Sequence, residues 1–296
     1  MPKLAPHPVL LTVQPWADYA VLDTGNGRKL EQVGPYIIDR PEPSALWQPA
    51  NPDLWNKATA IFSGKEDEEA AGQWQVNNDW PDTWPMAYQN VKFWGRRTQF
   101  RHIGFFPEQE AQWRFLLQHI GATPKPCRVL NLFGYSGVMT LLAAQAGAEV
   151  THVDASKKSV GWGRENAERA GLADKPIRWL VDDARKFVAR EVRRGNHYDG
   201  IILDPPKFGR GPDGEVWQLF DHLPEMLEDC ARLLSPEAKF MILTGYSARL
   251  ASRSLADLLN EKLAGRGGTI DYGDYTLEDQ AGRQLGLALF ARWVNS

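Results

Sequence analysis

The chain has 296 residues, of which 43% are hydrophobic and 24% charged, with a net charge of −3. That composition describes a soluble globular protein of one large domain or two ordinary ones, and no run of 18 apolar residues exists to cross a membrane. Basic and acidic residues number 11 against 14 through residue 124 and 23 against 23 thereafter, so bulk charge predicts no strong nonspecific grip on nucleic acid.

The N-terminal stretch Met-Pro-Lys-Leu-Ala-Pro-His-Pro lacks the apolar core of a signal peptide. Alternating runs at 9–13, 19–22 and 29–33 read as strands, with Gly25-Asn26-Gly27 as the hairpin turn between the last two. A short helix is expected over 53–63, followed by a solvated charge run at Lys65 to Glu69. Seven of the 12 tryptophans fall in the first 100 residues, where they suit a core better than a recognition surface. The basic and aromatic stretch Lys92 to His102 suits RNA contact, but reads more simply as a strand with charges outside and aromatics inside. Residues 1–106 are thus expected to form a smaller β-rich accessory or substrate domain, and 107–124 a linking helix that starts at Pro107.

From 125 to 296 the pattern becomes a regular alternation of short apolar runs and amphipathic stretches. Runs at 128–132, 150–154, 177–181, 200–204 and 240–244 suit parallel strands buried on both faces. A helix over 247–264 and two further strands, 269–275 and 286–293, complete an α/β, doubly wound, mostly parallel seven-stranded sheet.

The chemistry gathers at strand ends. Gly134-Tyr-Ser-Gly137 lies between a strand and a helix, where glycines permit a tight turn and close approach to a ligand. Alone, such a turn is common. Asp154 ends the second strand 20 residues after Gly134, the place where doubly wound sites set an acid against ribose hydroxyls; its ordinary alternative is a helix N-cap, a job for which Ser156 competes. Asp182-Asp183 follows the third strand, able to accept from an adenine amino group or to cap the next helix. Asp204-Pro205-Pro206-Lys-Phe208 ends the fourth strand, its prolines stiffening the exit and Phe208 offering a face for stacking.

Taken in that order and spacing, these motifs resemble the class I S-adenosylmethionine-dependent methyltransferases, and most closely the bacterial large-subunit ribosomal RNA methyltransferase I family, with a Rossmann-like catalytic domain. The similarity covers roughly residues 90–296 and includes His102-Ile-Gly-Phe-Phe-Pro-Glu-Gln109 and the last strand; residues 1–90 match only loosely. The resemblance implies that Asn131, Phe133, Gly134, Tyr135, Ser136 and Gly137 line the methionine part of S-adenosylmethionine, that Asp154 and Ala155 hold the ribose, and that Asp183, or Asp182, meets the adenine. Asp204 and Pro205 would face the sulfonium and the acceptor, with Pro206 in the same loop, and Phe105 and Gln109 would close the site. S-adenosylhomocysteine would be the product.

The family methylates cytosine C5 or, in a close branch, guanine N7. Its cytosine-5 members use a cysteine after the fifth strand. Here Tyr246 stands in that place, in Leu243-Thr-Gly-Tyr246-Ser247. Cys127 and Cys230 are expected to be packed thiols, and two such distant cysteines make neither a disulfide framework nor a metal site. Direct methyl transfer without a cysteine adduct is therefore expected, to RNA as the resemblance implies, with Asp204 orienting the acceptor or taking its proton and Tyr246 and Phe208 flanking it; Tyr246 reads equally well as ordinary packing. Small-molecule or protein methylation, and cofactor binding without turnover, are the alternatives. A cytoplasmic setting without membrane attachment completes the expectation.

Overall fold

The computed structural model describes residues 1–64, 71–77, 79–121, 125–246 and 249–295; the charge run Lys65 to Glu69 and the start of the helix expected from 247 lie outside them. Two short strands come first, β1 (Lys3–Leu4) and β2 (Val9–Thr12). Next come β3 (Tyr19–Gly25), β4 (Arg28–Val33), β5 (Tyr36–Pro41), β6 (Ala60–Gly64), β7 (Gly72–Val76), β8 (Thr83–Tyr88) and β9 (Val91–Arg96). Strands β3 to β7 form one sheet in sequence order, and β8 pairs with β9. The β3–β4 hairpin closes on Asn26 and Gly27, both with positive φ (53° and 72°). That turn twists in the same sense as the strands it joins.

The chain folds into two compact units. One comprises residues 12–111 and 276–287, the other residues 1–11, 112–275 and 288–296. In the first, tryptophans fill the interior: Trp74 packs edge-on to Phe62 (5.0 Å between centroids) and to Trp80 (4.7 Å), and Trp80 lies 4.9 Å from Trp84. Along β9, Phe93 is buried and Lys92 exposed, as alternation requires, but Arg96 turns inward. The helix expected over 53–63 is only a 3-10 turn, Pro52–Lys57; from residue 60 the chain is strand β6, because Phe62 must reach inward to Trp74. A buried ion cluster also sits here. Arg40 donates to both oxygens of Glu31 (2.7 and 2.8 Å), and the Tyr19 hydroxyl donates to Glu31 at 2.6 Å.

The second unit carries the parallel sheet. Helix α1 (Glu110–His119) continues a 3-10 turn that begins at Pro107. Then alternate β10 (Arg128–Leu132), α2 (Val138–Gln145), β11 (Glu149–Asp154), α3 (Lys157–Arg169), β12 (Ile177–Val181), α4 (Ala184–Arg193) and β13 (Gly200–Leu203). A small hairpin, β14 (Phe208–Arg210) and β15 (Val216–Gln218), precedes α5 (Leu219–Leu233). The chain ends with β16 (Phe240–Gly245), α6 (Ser252–Lys262), β17 (Thr269–Glu278) and β18 (Gln284–Val294).

The sheet order is β1-β17-β18-β16-β13-β10-β11-β12, with β2 also on β17. The expected seven strands form its body; β1 and β2 extend it to nine among the described residues. Strands β10 to β13 and β16 run parallel, and β18 runs antiparallel to β16. The fold is thus the doubly wound, mostly parallel α/β sheet that the apolar runs imply. Its order reverses between β10 and β13, and ligands of such sheets bind outside the carboxyl ends of the strands at that crevice. No helix among the described residues is long and apolar enough to cross a membrane.

Candidate active site at the carboxyl edge of the sheet

The register shows which side chains meet at the crevice. Leu132 pairs with both Val153 and Leu203, Leu203 pairs with Leu243, and Asp154 pairs with Val181. The next residues out are therefore Phe133, Asp154, Asp204 and Thr244, with Asp182 just beyond Val181, all along one edge. Parallel strands and short loops make that alignment automatic, so four motifs far apart in sequence meet at one place.

The loop after β10 is wound tightly. Phe133 (φ 59°), Tyr135 (φ 48°) and Gly137 (φ 79°) are all left-handed. Two of them are not glycine, and such backbone is concentrated at ligand sites. Gly134 is glycine for a different reason: a Cβ there would strike the His152 ring and approach Asn131 Nδ2 at 3.1 Å. At Gly137 a Cβ would meet the Trp179 ring at 3.0 Å. The loop is held from several sides. Gly134 N–H donates to the Val153 carbonyl (3.1 Å), and Asn166 Nδ2 donates to the Ser136 carbonyl (3.0 Å). The Tyr135 ring meets Trp162 edge-on, 6.1 Å between centroids.

Asp154 ties this loop to the second strand. Its Oδ2 accepts from Tyr135 N–H and its Oδ1 from Ser156 N–H, each at 2.8 Å. Burial pushes its carboxyl above the ordinary value, while the two amides pull it down. Ser156 caps α3 through Ser159 N–H, so Asp154 is released from that duty, and Ala155 bridges the two. Asp183, by contrast, caps α4, accepting from Lys186 N–H at 2.9 Å. Asp182 pairs with Arg190.

Asp204 leaves β13 next to Leu132, its N–H reaching the Leu132 carbonyl at 3.4 Å. The Pro205-Pro206 turn is pinned by Trp217, whose Nε1–H donates to the Pro206 carbonyl at 2.6 Å. The Trp217 ring lies 5.1 Å from that of Phe133. Phe208 is 42% exposed on β14, and Tyr246 comes directly after β16, half-buried. Phe105 and Gln109 belong to the other unit, where Phe105 is buried 5.1 Å from Phe93. Cys127 and Cys230 are both buried, and burial raises both thiols, Cys127 to about 11.

The layer beneath the loop is not apparent from the motifs. His152, fully buried, meets Thr140 Oγ1 at 2.9 Å through Nδ1, and Asn131 Nδ2 donates to the same Thr140 oxygen at 2.9 Å. Burial pushes the imidazole down to about 3, so it is neutral, and Trp179 packs 4.6 Å from it. The signal in the sequence is a lone histidine inside the apolar run of β11. Among the described residues no cluster is placed to hold a metal ion.

A protein-family profile described as Conserved hypothetical protein 95 matches residues 110–229. Ribosomal RNA large subunit methyltransferase K of Neisseria meningitidis serogroup B is 24% identical over 204 residues, 68% of this chain and 55% of that protein. Ribosomal RNA large subunit methyltransferase I of Aeromonas salmonicida is 34% identical over 106 residues, 36% of this chain and 26% of that protein. The chain thus spans about half or a quarter of the length of these curated relatives. A solved SAM-dependent methyltransferase from Agrobacterium tumefaciens superposes with a TM-score of 0.96 at 48% identity, over 100% of this chain and 96% of that one. A whole-length likeness of that degree, on a sheet whose switch point carries the glycine loop and its row of carboxylates, means that the chain belongs to the S-adenosylmethionine-dependent methyltransferases.

Proposed function

We propose that this protein moves a methyl group from S-adenosylmethionine to an acceptor in RNA, by direct displacement. The observation that carries the reading is the alignment of Phe133, Asp154, Asp182 and Asp204 at the switch point. The residues present fit the methyl donor: side chains are excluded at Gly134 and Gly137, leaving a backbone cradle, and Asp154 keeps lone pairs for hydroxyls beyond its two amide bonds.

The bound donor supplies a methyl group already activated on a sulfonium. The protein's part is then alignment. Asp154 and Ala155 take the ribose, the Asp183 oxygen left over from capping takes the adenine amino group, and residues 131–137 hold the methionine end. Asp204 orients an amine or ring nitrogen, and where the acceptor is an amine it takes the proton released on methylation. Phe208 and Tyr246 flank a flat acceptor. Both cysteines are buried with raised thiols, which favours a route with no cysteine adduct. A reducing cytoplasm suits such free thiols.

RNA as substrate draws its support from the curated relatives, both named for ribosomal RNA. Transfer of tritiated methyl to ribosomal RNA from a strain lacking this protein, with nucleoside analysis of the product, tests it. Label should enter RNA with wild type and fall about 100-fold or more with Asp204→Asn, the usual weight of a positioned acid or base. Label entering only small metabolites or protein would move the assignment to that acceptor.

A further inference from the structure

The hairpin β14–β15 grows directly out of the Asp204-Pro-Pro loop, and its two faces differ. Residues directly opposite on paired strands share a face. Phe208 opposes Gln218, Gly209 opposes Trp217, and Arg210 opposes Val216. The face with Trp217 is inward: that ring is 3% exposed and anchored to the Pro206 carbonyl and Phe133. The other face is open. Phe208 and Val216 are 42% and 40% exposed, and Phe220, at the start of α5, is 52% exposed. Exposed apolar side chains scattered singly mean little, but Phe208 and Val216 share this one face with Arg210 beside the Asp204 loop, and Phe220 follows two residues after the hairpin.

Its chemistry is that of a stacking platform. The Arg210 guanidinium lies over the Phe208 ring, 6.0 Å from its centroid, and Lys207 is exposed beside it. Neither cation makes an ion pair among the described residues, whereas Glu215 of the same hairpin is already engaged by Lys186. Aromatic faces interleaved with free cations suit single-stranded nucleic acid, which offers base faces and phosphates together.

We infer that the open face of this hairpin docks the single-stranded RNA flanking the methyl acceptor, with Arg210 on a phosphate and Phe220 beneath a neighbouring base. The inference rests on the RNA reading above. Because Trp217 joins the hairpin to Phe133, the strand so docked is registered against the cofactor loop.

The test uses full-length protein and a fluorescein-labelled single-stranded fragment of ribosomal RNA, read by anisotropy, with S-adenosylhomocysteine affinity and circular dichroism measured alongside. Arg210→Ala/Phe220→Ser should weaken RNA binding about tenfold or more, leave S-adenosylhomocysteine affinity unchanged, and lower the salt dependence by about one phosphate contact. The single variant Val216→Thr, a milder change, should weaken RNA binding in the same direction. Wild-type affinity for RNA retained in the double variant overturns the inference while leaving the RNA reading intact. A wild-type dimer that the double variant dissolves, seen by sedimentation, assigns the face to self-association and overturns it too. Failure of wild type to bind or methylate RNA removes the RNA reading itself, and this inference with it.

Discussion

The Tyr135 amide donates to Asp154 Oδ2 at 2.8 Å, so the glycine loop after β10 is bonded to the end of β11 by the carboxylate proposed to take the ribose. On the proposed reading, one side chain both holds the loop and meets the donor. Substituting Asp154 therefore acts twice. Asp154→Ala should weaken S-adenosylhomocysteine binding about 10- to 100-fold by calorimetry, the weight of a charge-assisted hydrogen bond, about 1.5–3 kcal/mol. Asp154→Asn keeps one acceptor and should lose less. Equal losses in the two variants would show that the loop does not depend on those bonds.

Gly134 is packed on a neutral imidazole. Gly134→Ala should abolish measurable binding of S-adenosylhomocysteine, because the new methyl group meets the buried His152 ring. His152→Ala alone should weaken binding moderately by freeing Thr140. Combined, Gly134→Ala/His152→Ala should bind better than Gly134→Ala, a coupling expected only of residues in contact. Simple additivity in the cycle would mean that the ring is not the group that excludes a side chain at 134.

Both thiols are buried and their pKa values raised, so neither should serve as a nucleophile. Cys127→Ala/Cys230→Ala should keep methyl transfer within about threefold of wild type, any loss reflecting stability, since removing buried atoms costs about 1–3 kcal/mol without touching the reaction. A folded double variant with no transfer, or a trapped protein–RNA adduct in wild type, would establish a covalent route instead.

Glu31 should contribute acid sensitivity to the tryptophan-rich unit. Burial alone would raise its carboxyl, but the Arg40 charge, then Lys29, overcome that and hold it at about 2, below the ordinary 4.5. A carboxyl lowered on folding contributes stability above its ordinary value and loses it as pH falls. Unfolding by urea, followed by tryptophan fluorescence, should show about 3 kcal/mol lost between about pH 4.5 and 2. Glu31→Gln should remove that slope and cost about 3–5 kcal/mol at neutral pH, because Arg40 stays buried without its partner.

The edge of the sheet was legible because its logic is one-dimensional. A strand reads as an apolar run, and the residue just past its end lies at the edge. Asp154, Asp204 and the glycine loop could be placed from spacing alone. The supporting layer could not: His152, Thr140 and Asn166 act through contacts between residues 12 to 30 apart, which register and helix packing create. Asp183 shows the limit from the other side, since an acid after a strand is equally a cap, and here it is one. The helix expected over 53–63 failed because an apolar pattern that short fits either period, and contact with Trp74 decided for the strand.

The left-handed backbone at Phe133 and Tyr135 carries one more consequence. Side chains bearing a Cβ are disfavoured there by about 1 kcal/mol or more each, and glycine would relieve this. Phe133→Gly or Tyr135→Gly should leave the loop easier to form yet slower to recapture the donor, since a chain free to wander must be ordered again at every encounter. With the left-handed residues in place the turn should be set before the ligand arrives, a little thermal tolerance exchanged for a loop that need not search for its shape.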